Sequence, residues 1–133
     1  MSRFHSEQIG GVVYTLHAVP DDVPVLHGHD SGDPEQNRRD KAEILARLDA
    51  GDVWAWADVE VRATVAVDGH TVTGSDYLGG CCYADAADFM QEGGYYRGLR
   101  IGALKALVAN LEQAARRGQA AAEALRKLAE EPV

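Results

Sequence analysis

The residues able to do chemistry in this chain are few. His27, His29, Asp30 and Asp33 crowd into one stretch, His27-Gly28-His29-Asp30-Ser31-Gly32-Asp33. A His-x-His pair on extended chain can supply two ligands to zinc, with His17 or His70 as a third. A tetrahedral site needs about four, and no second Cys or His pair stands at a recognised spacing. The stretch reads as a solvated polar loop, with no metal or other cofactor expected. Cys81 and Cys82 are adjacent. Successive side chains of extended chain point to opposite faces, so the two do not close an ordinary disulfide. That fits a reducing, cytoplasmic compartment. A nucleophilic thiol also needs a base and a lowered pKa, for which His70 is the nearest candidate. The ordinary outcome is one thiol in the core and one at the surface, and no catalytic residue is assigned. The pairs Gly10-Gly11, Gly79-Gly80 and Gly93-Gly94 match neither a phosphate loop nor a dinucleotide fingerprint.

A more telling constellation lies between residues 52 and 67. Every odd position from Val53 to Val67 is Val or Ala, while Trp54, Trp56, Asp58, Glu60, Arg62 and Thr64 occupy even ones. Period two held this long predicts one strand from Val53 to Val67 with a single buried face. On that reading Trp54, Trp56, Asp58 and Glu60 form a row on the opposite face. Two indoles beside two carboxylates suit a partner contact, because Trp is over-represented among interface hot spots. The competing account has the first helix, or a second copy of the chain, covering this face as a second core.

The elements that must position these residues follow from local pattern. Ile9 to Val19 is rich in β-branched and aromatic residues and ends at Pro20, which predicts a first strand. Asp33-Pro34 opens a helix, with Asp33 as N-cap and Pro34 in its first turn. The helix runs to Ala50, Gly51 ends it, and Ile44, Leu45 and Leu48 give it a narrow apolar seam. Asp68-Gly69 predicts a hairpin turn. His70 begins the returning strand, with Gly74 and Gly79-Gly80 marking bulges or bends. A short helical turn near Asp85 precedes a long helix from Tyr95 to Arg117. Leu99, Ala103, Leu104, Leu107, Val108, Leu111 and Ala115 form its sheet-covering stripe, and Arg100 either pairs with a carboxylate or reaches solvent. Gly118 interrupts the pattern. Residues 119–133 either continue that helix or form a separate, partly frayed one.

The 133 residues suit one domain, and 46% hydrophobic with 26% charged residues argues against wholesale disorder. A net charge of −8 excludes general nucleic-acid binding, which needs a basic footprint, and permits a basic partner surface. No apolar run approaches the ~20 residues of a membrane span, and the N-terminal residues lack the apolar core of a signal peptide. The expected fold is α+β: an antiparallel sheet of about three strands in the order strand–helix–strand–strand–helix, one face covered by the long C-terminal helix.

The string Trp54-Ala-Trp56, Gly74-Ser-Asp-Tyr-Leu-Gly-Gly-Cys81, Asp88-Phe89 and Gly94-Tyr-Tyr96 before a long helix resembles a group of small bacteriophage- and prophage-encoded proteins over roughly residues 52–112. The resemblance implies a mobile-element setting. It implies no mechanism and no catalytic residue. Small acidic phage proteins often bind and block a host defence complex, anti-CRISPR proteins being the best-known class. The function expected is therefore a binding inhibitor of a host protein or protein–nucleic acid complex in the host cytoplasm. Two other readings stand beside it: a small metal- or thiol-dependent enzyme, and a self-associating assembly subunit.

Overall fold

The computed structural model describes residues 1–22 and 31–130. Its elements are β1 (Ser2–Ile9), β2 (Val12–Pro20), α1 (Pro34–Asp49), a 3-10 turn (Val53–Ala55), β3 (Ala57–Val67), β4 (His70–Cys81), α2 (Ala86–Phe89) and α3 (Tyr95–Glu130). The four strands form one antiparallel sheet in the order β1-β2-β3-β4, and α3 packs on β3 and β4. The α+β class, the antiparallel sheet and the covering C-terminal helix agree with the sequence pattern.

The sheet has one more strand than expected. Gly10 and Gly11 do not sit inside a strand. They take φ of 59° and 81° and turn the chain, so that Ser2–Ile9 pairs back on Val12–Pro20. Two consecutive positive φ values are the signature of a tight hairpin turn, and glycine adopts them without steric penalty. The second turn matches its prediction, with Asp68 at φ 51° and Gly69 at φ 78° joining β3 to β4.

Alternation then sorts the sheet into two faces. Leu16, Ala18, Ala57, Val59, Val61 and Ala63 are almost wholly buried beneath α3, joined by Phe89, Leu99, Ala103 and Leu107. One glycine sets how closely the helix approaches. A Cβ on Gly74 would lie 2.1 Å from the backbone nitrogen of Leu107 and 2.6 Å from the carbonyl of Ala103. Gly74 is therefore not a bulge but the seat of α3. The bulge lies further along, where β4 carries one extra residue opposite Ala57–Val59 and Gly80 takes φ 63°.

α1 begins as expected. Asp33 caps it by accepting from the Glu35 N–H at 3.0 Å, and Gly51 follows its end at φ 85°. Ile44 is its buried residue, packed with Leu48, Ala55 and Trp56 in a small second core. Arg47 ties its last turn down. The guanidinium donates to Asp52 Oδ2 at 2.8 Å and to the Tyr83 carbonyl at 2.6 Å. α3 continues unbroken through Gly118 to Glu130, and every residue from 112 to 130 is exposed. Among the described residues no helix is long and apolar enough to cross a membrane.

Candidate recognition surface

The sheet face opposite α3 gathers the strongest polar constellation. Strand pairing places His17 beside Glu60, Glu60 beside Tyr77, and Arg62 between Thr15 and Ser75. These side chains share one face because they occupy matching registers of three alternating strands. Glu60 is buried, and Arg62 Nε donates to its Oε1 at 2.7 Å. Burial alone would raise the Glu60 carboxyl. Hydrogen bonds from Ser75, Tyr77 and Arg62, with the Arg62 charge, outweigh that and hold it below the ordinary carboxylate range. The same bond raises the Tyr77 phenol, because losing its proton would set two anions together.

His17 is also buried, its Nε2 lying 2.8 Å from Thr15 Oγ1. Burial and then the Arg62 charge lower its pKa, against a weaker pull from Glu60, so the imidazole is neutral at physiological pH. Asp58 continues the row toward α1. Burial first, then repulsion from Asp21, Asp22 and Glu60, raises its carboxyl. Tyr77, 59% exposed, stands over this network as its large outward-facing side chain.

Of the four residues picked out by alternation, Asp58 and Glu60 lie on this face as expected. Glu60 is held inward by Arg62 rather than presented to solvent. Neither tryptophan is exposed: Trp54 is 4% and Trp56 7% accessible. The cause is local. Asp52 accepts from the Trp54 N–H at 3.1 Å and caps a 3-10 turn over Val53–Ala55, so β3 begins only at Ala57 and period two does not reach Trp54. The indole of Trp54 turns into the main core, with ring centroids 5.3 Å from both Phe89 and Phe4. Trp56 packs with Ile44 of α1, the covering helix of the competing account.

The other candidates separate. His27, His29 and Asp30 lie outside the described residues, and Asp33 serves as the α1 cap. Among the described residues no three His, Cys, Asp or Glu side chains gather to hold a metal. His70 sits at the β3–β4 turn, paired with Val67, at the far end of β4 from Cys81. Cys81 is buried, and burial followed by the charges of Asp58 and Asp21 pushes its thiol up to about 12. It is a core thiol, held in its protonated form. Cys82 is exposed, with its sulfur 4.0 Å from Arg47 Nη1.

A second cluster lies under α3, where Arg100 pairs with a carboxylate, the first of the two outcomes its position allows. Glu7 Oε1 accepts from Tyr96 Oη at 2.9 Å and from Arg100 Nη1 at 3.0 Å. The Arg100 guanidinium lies 5.1 Å from the Tyr96 ring centroid. Its carboxylate comes from β1, the strand that the hydrophobic pattern did not signal. Beside it runs a shallow groove of about 170 Å³ lined by Ile9, Tyr14, Arg97, Arg100, Ile101 and Leu104. That is below the several hundred Å³ of an ordinary small-molecule site.

No family model matches the chain, and no curated protein or solved structure matches it either.

Proposed function

We propose that the protein is a binding protein that blocks a host macromolecular complex in the cytoplasm, in the manner of an anti-CRISPR, using the sheet face opposite α3. The observation that carries this reading is the ordered row Asp58, Glu60, Arg62, His17 and Tyr77. It is polar, with Glu60 held by Arg62 of its own strand and by Ser75 and Tyr77 of β4, and His17 held by Thr15 within β2. A face whose side chains are already fixed loses little entropy on binding. Tyr77 supplies aromatic contact area at its centre, and the carboxylates at the Asp58 end suit a basic groove that normally holds nucleic acid.

The test is phage plating on a bacterial host with an active CRISPR defence, with and without expression of the chain. Inhibition raises plating, and Tyr77→Ala or Asp58→Lys removes the rise while leaving the melting temperature within a few degrees. Unchanged plating across the principal defence types, or full activity in both variants, overturns the proposal.

A further inference from the structure

The projecting half of α3 carries a pattern that the sheet does not use. Leu104, Leu107, Leu111, Ala114, Gly118, Ala121, Leu125 and Leu128 follow one another at spacings of three and four residues without a break. This is a heptad seam. Val108, Ala115, Ala122 and Ala129 follow every second seam residue, which widens the seam to an apolar face. Of the charged side chains along the same stretch, Glu112, Arg116, Glu123, Arg126 and Lys127 lie on the outer surface, where Lys127 pairs with Glu123, and Arg117 alone flanks the seam, beside Gly118.

Only the first part of this face is covered. Leu107 is buried against the sheet, and Leu111 is half-buried against the same core. Beyond that, Leu125 and Leu128 are 65% and 62% exposed. At about 1.5 Å per residue, the exposed segment 112–130 extends roughly 28 Å. A lone helix of this length is marginal in water, and Gly118 near its middle weakens it further.

We propose that this segment pairs with the same segment of a second copy of the chain, antiparallel, about a two-fold axis between Gln119 and Ala120. The seam is self-complementary in that register. Leu111 faces Leu128 of the other copy, Ala114 faces Leu125, and Gly118 faces Ala121, and the reverse order repeats these layers on the far side of the axis. The layers grade from Leu against Leu at the ends, through Ala against Leu, to Gly against Ala beside the axis, so the helices approach most closely at the centre. The flanking positions bring Ala115 against Ala122 and Val108 against Ala129, and set no like charges together. A strip about 30 Å long and 10 Å wide on each copy gives a contact of about 600 Å² in total, the size of a weak, concentration-dependent association. Leu128 of each copy comes to rest at Leu111 of the other, where the core reaches its edge.

Sedimentation equilibrium at tens of micromolar is the first test. The wild type sediments at twice its 14.3 kDa mass. Leu125→Glu sediments as a monomer with at least tenfold weaker association, and the outer-face control Gln113→Glu remains a dimer. Leu125 touches no core, so Leu125→Glu keeps the thermal transition of the sheet body. Orientation is read from spin-label distances in a Cys82→Ser background. A label at Ala120→Cys, near the axis, gives a separation within about 20 Å, and one at Glu130→Cys gives about 30 Å or more. A monomeric wild type, a dimer that survives Leu125→Glu, or short distances at both labels overturns the proposal.

Discussion

Replacing Gly74 by Ala should damage this protein although the textual rule for strands says the reverse. A glycine inside a strand carries more unfolded-state freedom than alanine, so Gly→Ala at a compatible site stabilises by about 0.4–1 kcal/mol. Here the added methyl would sit 2.1 Å from Leu107 N, 2.6 Å from Leu107 Cα and 2.6 Å from the Ala103 carbonyl oxygen. All three are backbone atoms of a helix interior and cannot rotate away. Ordinary contact lies near 3.5–4 Å, so α3 must lift by roughly 1 Å or more. A gap of that size forfeits a quarter to a half of each dispersion contact it opens, and Leu99, Ala103 and Leu107 all face it. With the usual 1–3 kcal/mol for overpacking at its upper end, a loss of about 3 kcal/mol follows.

The matched control is Gly102→Ala. A Cβ there would lie 2.0 Å from Asp76 Oδ2, 2.7 Å from its Cγ and 3.1 Å from its Cβ, so this side chain must rotate away and give up the Tyr77 N–H it accepts, a cost of about 1 kcal/mol. Helix propensity favours Ala by about 1 kcal/mol, so the net change is small. Urea denaturation of the two variants beside the wild type reads the difference directly. At a slope of about 1–3 kcal/mol per molar, Gly74→Ala lowers the midpoint by more than about 1 M, while Gly102→Ala shifts it by a few tenths. Equal midpoints for Gly74→Ala and wild type would refute the close seating of α3 on β4.

Trp54→Ala and Trp56→Ala each cost about 3–5 kcal/mol in chemical denaturation, as large truncations in cores do, and leave the molecular mass unchanged. Trp54→Phe costs far less than Trp54→Ala, because the buried Trp54 Nε1 has no hydrogen-bond partner among the described residues to lose. Iodoacetamide at pH 8, followed by mass spectrometry, modifies Cys82 in the folded chain and spares Cys81, whose thiol is buried and raised to about 12. Stability falls on acidification in two windows. His17 has a lowered folded pKa, so its contribution is complete above about pH 6.5 and is lost as pH falls through the lower folded value. Glu60 is likewise depressed, so its contribution is complete above about pH 4.3 and drains away below it. Midpoints in urea across pH 3–8 show both windows, and Glu60→Gln shrinks the lower one, to which the likewise depressed Glu7 also contributes.

Sequence pattern located most of this fold because the deciding forces are local there. The Asp33-Pro34 helix start, the Asp68-Gly69 turn and the buried odd residues of β3 each follow from capping, turn geometry or alternation within a few residues. β1 escaped notice because Ser2–Ile9 is an edge strand with mostly exposed side chains, and no hydrophobic period marks it. Gly10-Gly11 was the available signal, since paired glycines between two β-prone runs can form a hairpin turn. The tryptophans depart from strand alternation for another reason. Asp52, two residues before Trp54, is a capping residue, and its side chain competes with the strand for the Trp54 N–H. Glu60 and His17 were visible as residue types, but their mutual register depends on strand pairing, which no single strand encodes.

The charges of the chain are not spread evenly, and this bears on how the two surfaces work together. Segment 112–130 carries four cations (Arg116, Arg117, Arg126, Lys127) and three carboxylates (Glu112, Glu123, Glu130), so the net −8 resides in the body that bears the sheet. Two such bodies repel one another if they meet face to face, and a parallel pairing of the arms would hold them side by side. The antiparallel register sends them to opposite ends of the paired helices, several Debye lengths apart at physiological salt, while the nearly neutral arms meet at no electrostatic cost. The open sheet faces remain free at both ends. A partner with two basic grooves within that span would then engage both, and the second contact would form at the high effective concentration of a tethered site. Leu125→Glu therefore separates the two roles: it leaves the affinity of one sheet face for one groove unchanged, and removes only the gain that comes from joining two.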